Sequence, residues 1–214
     1  MTITLWGRPS SSNVQKAVWA LEELQLPYEH IPLGGRFGGN RDPGYLAMNP
    51  NGLVPTLRDD DLVIWESHAV VRYLSAEYGR GVLFPVAPRD RALVDQWTDW
   101  TATSFGPAWN GLFWARVRTP LAQQDQAAIE KARLACVKYF EMLDRRLAAA
   151  PYLGGEGLTY ADICAGVSLY RWTTMNIERP LLPHVAAWHD RLRLRPAFRK
   201  AVEVSYEELV GQLA

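Results

Sequence analysis

The run Arg8-Pro9-Ser10-Ser11-Ser12-Asn13-Val14-Gln15-Lys16 stands where a strand pattern gives way to a helical one. The first turn of a helix has unpaired N–H groups and the positive end of the dipole, so it attracts an anion. Hydroxyl and amide side chains at that point donate hydrogen bonds to such an anion. Ser and Asn are also favoured helix caps, and taken alone capping is the simpler reading. A second run, Asn49-Pro50-Asn51-Gly52-Leu53-Val54-Pro55, precedes a strand. A cis Val54-Pro55 bond would turn the Val54 N–H and C=O outward, where an extended peptide can pair with them. An ordinary proline turn fits the same residues. The third run is Trp65-Glu66-Ser67-His68. Ser67 is a natural N-cap, the amides after it suit a carboxylate, and Glu66 suits an amine; taken alone, Ser67 as a cap and Glu66 as a partner of the helix dipole is the simpler reading. A fourth, Thr159-Tyr160-Ala161-Asp162, has the spacing of a capping box and is read as structural.

Other chemistries find less support. The two cysteines, Cys136 and Cys164, form no CxxC pair and lie in apolar helical stretches, as buried inert thiols do. His30, His68, His184 and His189 show no metal-ligand spacing, so no metal is expected. Lys plus Arg equals Asp plus Glu at 23 each, which gives no global pull toward nucleic acid. MTITLWGRPS lacks the layout of a signal peptide, and no apolar run is long enough to span a membrane. Low cysteine use suits a reducing cytoplasm.

The elements that must position these residues follow from periodicity. Thr2 to Trp6 reads as a strand, Asn13 to Leu24 as a helix with Val14, Val18 and Leu21 inward, and Tyr28 to Leu33 as a second strand. Gly34 to Gly44 reads as a glycine-rich loop. Thr56 to Arg58 and Leu62 to Trp65 form a hairpin around Asp59-Asp60-Asp61, followed by a helix over Ser67 to Tyr78. The order β-α-β, loop, β-β, α makes a compact α/β layer over residues 1–79. Residues 80–88 read as a linker. Residues 89–214 read as helical: Arg89 to Phe113, interrupted near Gly106-Pro107, then Gln124 to Ala149, a helix from Thr159, and shorter ones over Val185 to Leu194 and Ala197 to Leu209.

Together and in this order, SSSNVQKAVWALEEL, NPNGLVPTL and WESHAVVRYL resemble the glutathione transferase family, and the resemblance covers nearly the whole chain. It implies an α/β thioredoxin-like N-terminal domain and an all-α C-terminal domain, with glutathione as co-substrate. Val54 would pair with the cysteinyl part, Glu66 and Ser67 with the γ-glutamyl end, and Asn51 and Leu53 would flank Val54 toward the glycyl end. Leu53 offers no polar head for the glycyl end, where His30, Arg36 and Asn40 are possible substitutes. The resemblance puts Ser11 and Asn13 first as partners of the sulfur, Ser12 next and Ser10 last. The group needed is a donor, because a serine hydroxyl does not ionise near neutral pH.

The resemblance also implies that the thiolate attacks a small hydrophobic electrophile held by the helical domain. Trp109, Phe113, Trp114 and Arg116 lie in the right segment, with Trp172 a further candidate. Each aromatic taken singly reads first as core, and it is the Trp97 to Trp114 cluster that keeps the site reading. A homodimer is expected by resemblance, with neither nucleic acid nor membrane as partner. Two other activities share these motifs: a glutathione-dependent disulfide reductase or peroxidase, to which the Asn13 match points, and a non-catalytic binding module.

Overall fold

The computed structural model describes residues 2–213; Met1 and Ala214, the outer ends of the two expected domains, lie outside the described residues. Four strands, β1 (Ile3–Trp6), β2 (Tyr28–Ile31), β3 (Thr56–Asp59) and β4 (Leu62–Trp65), form one mixed sheet in the order β2-β1-β3-β4. β1 runs parallel to β2 and antiparallel to β3, with Leu5 opposite both His30 and Leu57. The parallel pair requires a crossover, and α1 (Ser12–Glu23) supplies it. β3 and β4 close a hairpin through Asp60, whose φ of 49° is a left-handed turn conformation that Asp tolerates.

The stretch 34–44 is not all loop. It holds a short 3-10 turn (Gly35–Phe37) and runs into α2 (Pro43–Met48), a single-turn helix with Pro43 in its opening turn. Six residues are too few for periodicity to register. α3 (Ser67–Tyr78) buries Val70, Val71 and Leu74 and packs on α1. Tyr73 and Tyr78 both donate to the buried Asp59 carboxylate, which ties α3 to β3.

After residue 87 the chain is helical: α4 (Pro88–Trp100), α5 (Gly106–Phe113), α6 (Gln126–Leu147), α7 (Tyr160–Gly166), α8 (Leu169–Thr174), α9 (Pro183–Arg193) and α10 (Pro196–Val202). The expected break at Gly106-Pro107 is instead a π-helical stretch, Thr101–Phe105, so α4 and α5 stay continuous. The widened turn accommodates a proline that offers no N–H to the helical ladder. A Cβ on Gly106 would stand 2.7 Å from the Thr101 carbonyl oxygen, so glycine is needed there. A second π stretch, Trp114–Arg118, extends α5. The last expected helix ends early: α10 stops at Val202, and only a 3-10 turn at Glu207–Leu209 follows.

Most of the tryptophans are packing. Trp100 stacks on Phe105, Phe105 meets Phe140 edge-on, and Phe140 stacks on Trp172 with centroids 4.0 Å apart. Among the described residues no helix is long and apolar enough to cross a membrane.

Candidate active site

β1 ends at Trp6 and the chain turns at Gly7, where an added Cβ would stand 2.3 Å from Val14 Cγ2 and 3.2 Å from Val54 Cβ. Only glycine lets the start of α1 and the Val54 loop approach this closely. Between them opens a cleft of about 290 Å³, floored by Ser10 to Asn13 and Leu53-Val54 and walled by Phe113, Trp114, Arg118 and Arg171. A smaller pocket of about 50 Å³ adjoins it, lined by Asn13, Asn49, Asn51, Leu53, Val54, Pro55, Glu66 and Ser67.

The Val54–Pro55 bond is cis. The loop is held from behind: Asn40 Nδ2 donates to the Gly52 carbonyl (2.9 Å), while Tyr45 OH (2.6 Å) and Asn49 Nδ2 (2.9 Å) donate to that of Leu53. The backbone N–H and C=O of Val54 have no partner among the described residues. Asn51 turns its amides onto Asn49 Oδ1, and the Leu53 side chain is exposed. Glu66 stands at φ 70°, a strained conformation for a side chain without special turn propensity, and its head is exposed at the small pocket.

At the start of α1, Ser11 is the N-cap residue, yet its side chain makes no capping bond. Ser10 differs: its hydroxyl donates to Glu208 and its carbonyl accepts from Arg171. Asn13 is oriented from below. Buried Lys16 donates to Asn13 Oδ1 (3.0 Å) and lies 3.4 Å from Ser67 Oγ and 2.9 Å from His68 Nε2. Ser67 Oγ also donates to Asn13 Oδ1 (3.3 Å). An ammonium cannot accept, so the Lys16 contact fixes which amide end is oxygen and leaves Nδ2 as the free donor. Burial pushes the Lys16 pKa down, and the nearby Cys164 and Glu66 oppose that. Burial, with Lys16 and Arg72 beside it, pushes His68 down to about 2, so His68 is neutral and accepts.

The structure thus brings together Ser11, Ser12, Asn13, Val54, Glu66, Ser67, Asn51 and Leu53, with Phe113 and Trp114 on the opposite wall. It does not bring Trp109 or Arg116 to the cleft. Trp109 is 5% exposed and packs among Phe113, Phe140 and Trp172. Arg116 donates to the Asn176 carbonyl. Of the glycyl-end substitutes, Asn40 lines the cleft, His30 bonds the Gly7 carbonyl, and Arg36 pairs with Glu208 at 2.9 Å. Burial pushes the thiols of Cys136 and Cys164 up to about 12, so neither is a nucleophile.

Sequence reasoning missed the arginines of the cleft. Arg171 is 3% exposed, with its guanidinium over the Phe113 ring (4.7 Å) and near Tyr206 (5.6 Å). Arg118 is 8% exposed, donates to the Gln212 carbonyl (2.7 Å) and lies over Trp114 (4.2 Å). The half-buried Arg8 packs along Gly35. The available signal was Arg171 itself, a charge inside the apolar run Val167 to Trp172.

A mixed four-stranded sheet whose proline loop and helix N-termini face an all-helical layer defines a protein of two layers with a cleft between them. The family "Glutathione S-transferase, N-terminal domain" matches residues 1–76, and "Glutathione S-transferase, C-terminal domain" matches residues 126–191. The chain is 43% identical over 204 residues to glutathione S-transferase GstB of Escherichia coli, covering 94% of this chain and 98% of that one. It is 30% identical over 207 residues to the disulfide-bond oxidoreductase YfcG of Escherichia coli, covering 94% of each. A theta class glutathione S-transferase from Xanthomonas axonopodis pv. citri, solved with glutathione bound, superposes with a TM-score of 0.92 at 49% identity, over 95% of this chain and 98% of that one. The chain belongs to the glutathione S-transferase family.

Proposed function

We propose that the protein binds glutathione along the Val54–Ser67 side of the cleft and activates its thiol at the N-terminus of α1 for transfer to an electrophile. The observation that carries this reading is the free Val54 backbone between two sets of polar groups. Val54 takes the cysteinyl unit as an added strand. Ser67 and the first amides of α3 take the γ-glutamyl carboxylate, and Glu66 its amine. Asn51 and Leu53 border the peptide, and Asn40 stands on the glycyl side.

The sulfur then lies over Ser11, Ser12 and Asn13. Two free hydroxyls, the Asn13 Nδ2 group and the unpaired amides of α1 all favour the thiolate over the thiol. Lowering a thiol pKa by about two units corresponds to ~2.7 kcal/mol. One charge-assisted hydrogen bond together with a helix N-terminus supplies energy of that order. Phe113 and Trp114 give an apolar wall for the second substrate, and Trp109 backs Phe113 from the core. In this division residues 1–79 hold glutathione, 80–88 connect, and 89–214 supply the opposite wall. A cytoplasmic homodimer belongs to the same proposal, supported by the exposed Leu62 and Trp65 on the outer strand β4 and by two unpaired cysteines.

A disulfide reductase is the second reading, favoured by Asn13 and by the similarity to YfcG. The test is calorimetry with glutathione, then turnover of an aryl halide beside a glutathione mixed disulfide. Wild-type protein is expected to bind glutathione and turn over the halide, and Ser67→Ala to weaken binding about tenfold, the loss of one hydrogen bond to a charge. Faster turnover of the disulfide would favour the second reading. Absence of glutathione binding would reject both.

A further inference from the structure

Resting on the transferase reading, we propose that the electrophile site is built for a small electrophile bearing a carboxylate, held by Arg8, Arg118 and Arg171. All three line the same cleft as the Ser11–Asn13 turn, and among the described residues no Asp or Glu lines it with them. Nor does any of the three form an ion pair with a carboxylate among the described residues. Glu208 acts on Arg8 from a distance and raises its pKa against burial, but its oxygens are taken by Ser10 and Arg36.

Buried guanidinium groups without a counter-ion are costly, and proteins normally pair them. Here Arg171 is almost wholly buried and Arg8 half-buried, and the Nε of each has no partner among the described residues. Burial is the main cause that lowers the pKa of each; Glu208 opposes it at Arg8, repulsion from Arg8 adds to it at Arg118, and at Arg171, lowered to about 10, repulsion from Arg8 and Arg118 adds to it against Tyr206 and Tyr170. An anion in the cleft relieves that repulsion and supplies the missing acceptors. A guanidinium fork matches a carboxylate better than any neutral group. Phe113 and Trp114, each packed against a guanidinium, leave an apolar wall for the short carbon skeleton. The cleft therefore selects by charge, whereas the family resemblance pointed to a hydrophobic electrophile.

The reaction is a displacement. The thiol proton leaves to solvent; the glutathione sulfur then attacks the carbon bearing the leaving group, a C–S bond forms, and the carbon–halogen bond breaks with its electron pair on the departing halide. Iodoacetate and iodoacetamide share this chemistry and nearly the same shape but differ in charge. The test compares kcat/KM for the two with the full-length enzyme and saturating glutathione. The ratio of iodoacetate to iodoacetamide is expected to exceed that of free glutathione by at least tenfold. Arg118→Gln and, separately, Arg171→Met should each reduce the enzyme's ratio at least tenfold. Because the amide reports on folding and thiol activation in the same sample, a misfolded variant is recognised by loss of both rates together with a lowered melting temperature.

The proposal is overturned by a wild-type ratio equal to that of free glutathione, by variants that keep the wild-type melting temperature yet lose both rates in parallel, which makes the arginines supports for the thiolate, or by a loss that falls instead in KM for glutathione, which makes the arginines part of its own site. Turnover of the amide with no preference for the acid rejects this inference alone; turnover of neither rejects the transferase reading as well.

Discussion

Lys16 is nine-tenths buried, and its three N–H protons meet three acceptors: Asn13 Oδ1, Ser67 Oγ and His68 Nε2. An ammonium spends all its donors here on positioning. The consequence falls on Asn13, whose oxygen is tied down and whose Nδ2 is left to the cleft. Asn13→Asp separates those two roles. The carboxylate keeps the Lys16 and Ser67 contacts, so the melting temperature is expected to hold or rise. It offers no N–H and sets a negative charge where the thiolate forms. The pH dependence of kcat/KM should shift upward by about two units, with a loss near neutral pH of about a hundredfold, equivalent to ~2.7 kcal/mol. An unshifted profile would remove Asn13 from the activation step and leave Ser11 and Ser12.

At the scale of elements, the start of α7 shows a carboxylate with more partners than a cap requires. Asp162 accepts from the N–H of Leu153 (2.8 Å) and of Thr159 (2.9 Å), from the Thr159 hydroxyl (3.0 Å) and from Trp188 Nε1 (3.2 Å). One side chain thus joins the loop before α7, α7 itself and α9. Thr159→Ala removes a cap and is expected to cost about 1 kcal/mol. Asp162→Ala leaves several buried donors unmet at 1–3 kcal/mol each, so roughly 4 kcal/mol is expected. Urea unfolding of both variants checks the ranking, and equal losses would reduce Asp162 to a simple cap. This motif was legible because Thr-x-x-Asp is local chemistry. The β3–β4 hairpin and α3 were legible for the same reason. Arg118 and Arg171 were not, because what gives them meaning is distance in space: Arg171 meets Ser10 across 161 residues. The π stretches were hidden too, since a one-residue widening of a helix leaves the apolar spacing nearly unchanged.

Across the whole molecule, α1 is the shared spine. Its first turn floors the cleft, and further along it packs on α3, α7 and α10, with Trp19 edge-on to Phe198 at 4.9 Å. Titration of buried groups along this spine therefore acts on global stability. Asp162 and His68 pull in opposite directions. Burial raises Asp162 to about 6, against the four donors that lower it, so its favourable share is full below the unfolded value near 3.8 and fades as pH rises through about 6. His68 is depressed from 6.5 to about 2, so its share is full above 6.5 and is lost progressively as pH falls toward 2. Between pH 6 and 4 the unfolded chain binds a proton at His68 that the folded chain refuses. That one site makes stability fall by up to about 1.4 kcal/mol per pH unit on acidification. His68→Gln keeps an acceptor for Lys16 Nζ and cannot titrate. Urea titrations at pH 4.5 and 6 should show a shallower fall in the variant than in wild type, by about that slope. Parallel curves for the two proteins would mean that His68 is protonated in the folded state, and that the Lys16–His68 contact is broken in acid rather than kept by a neutral imidazole.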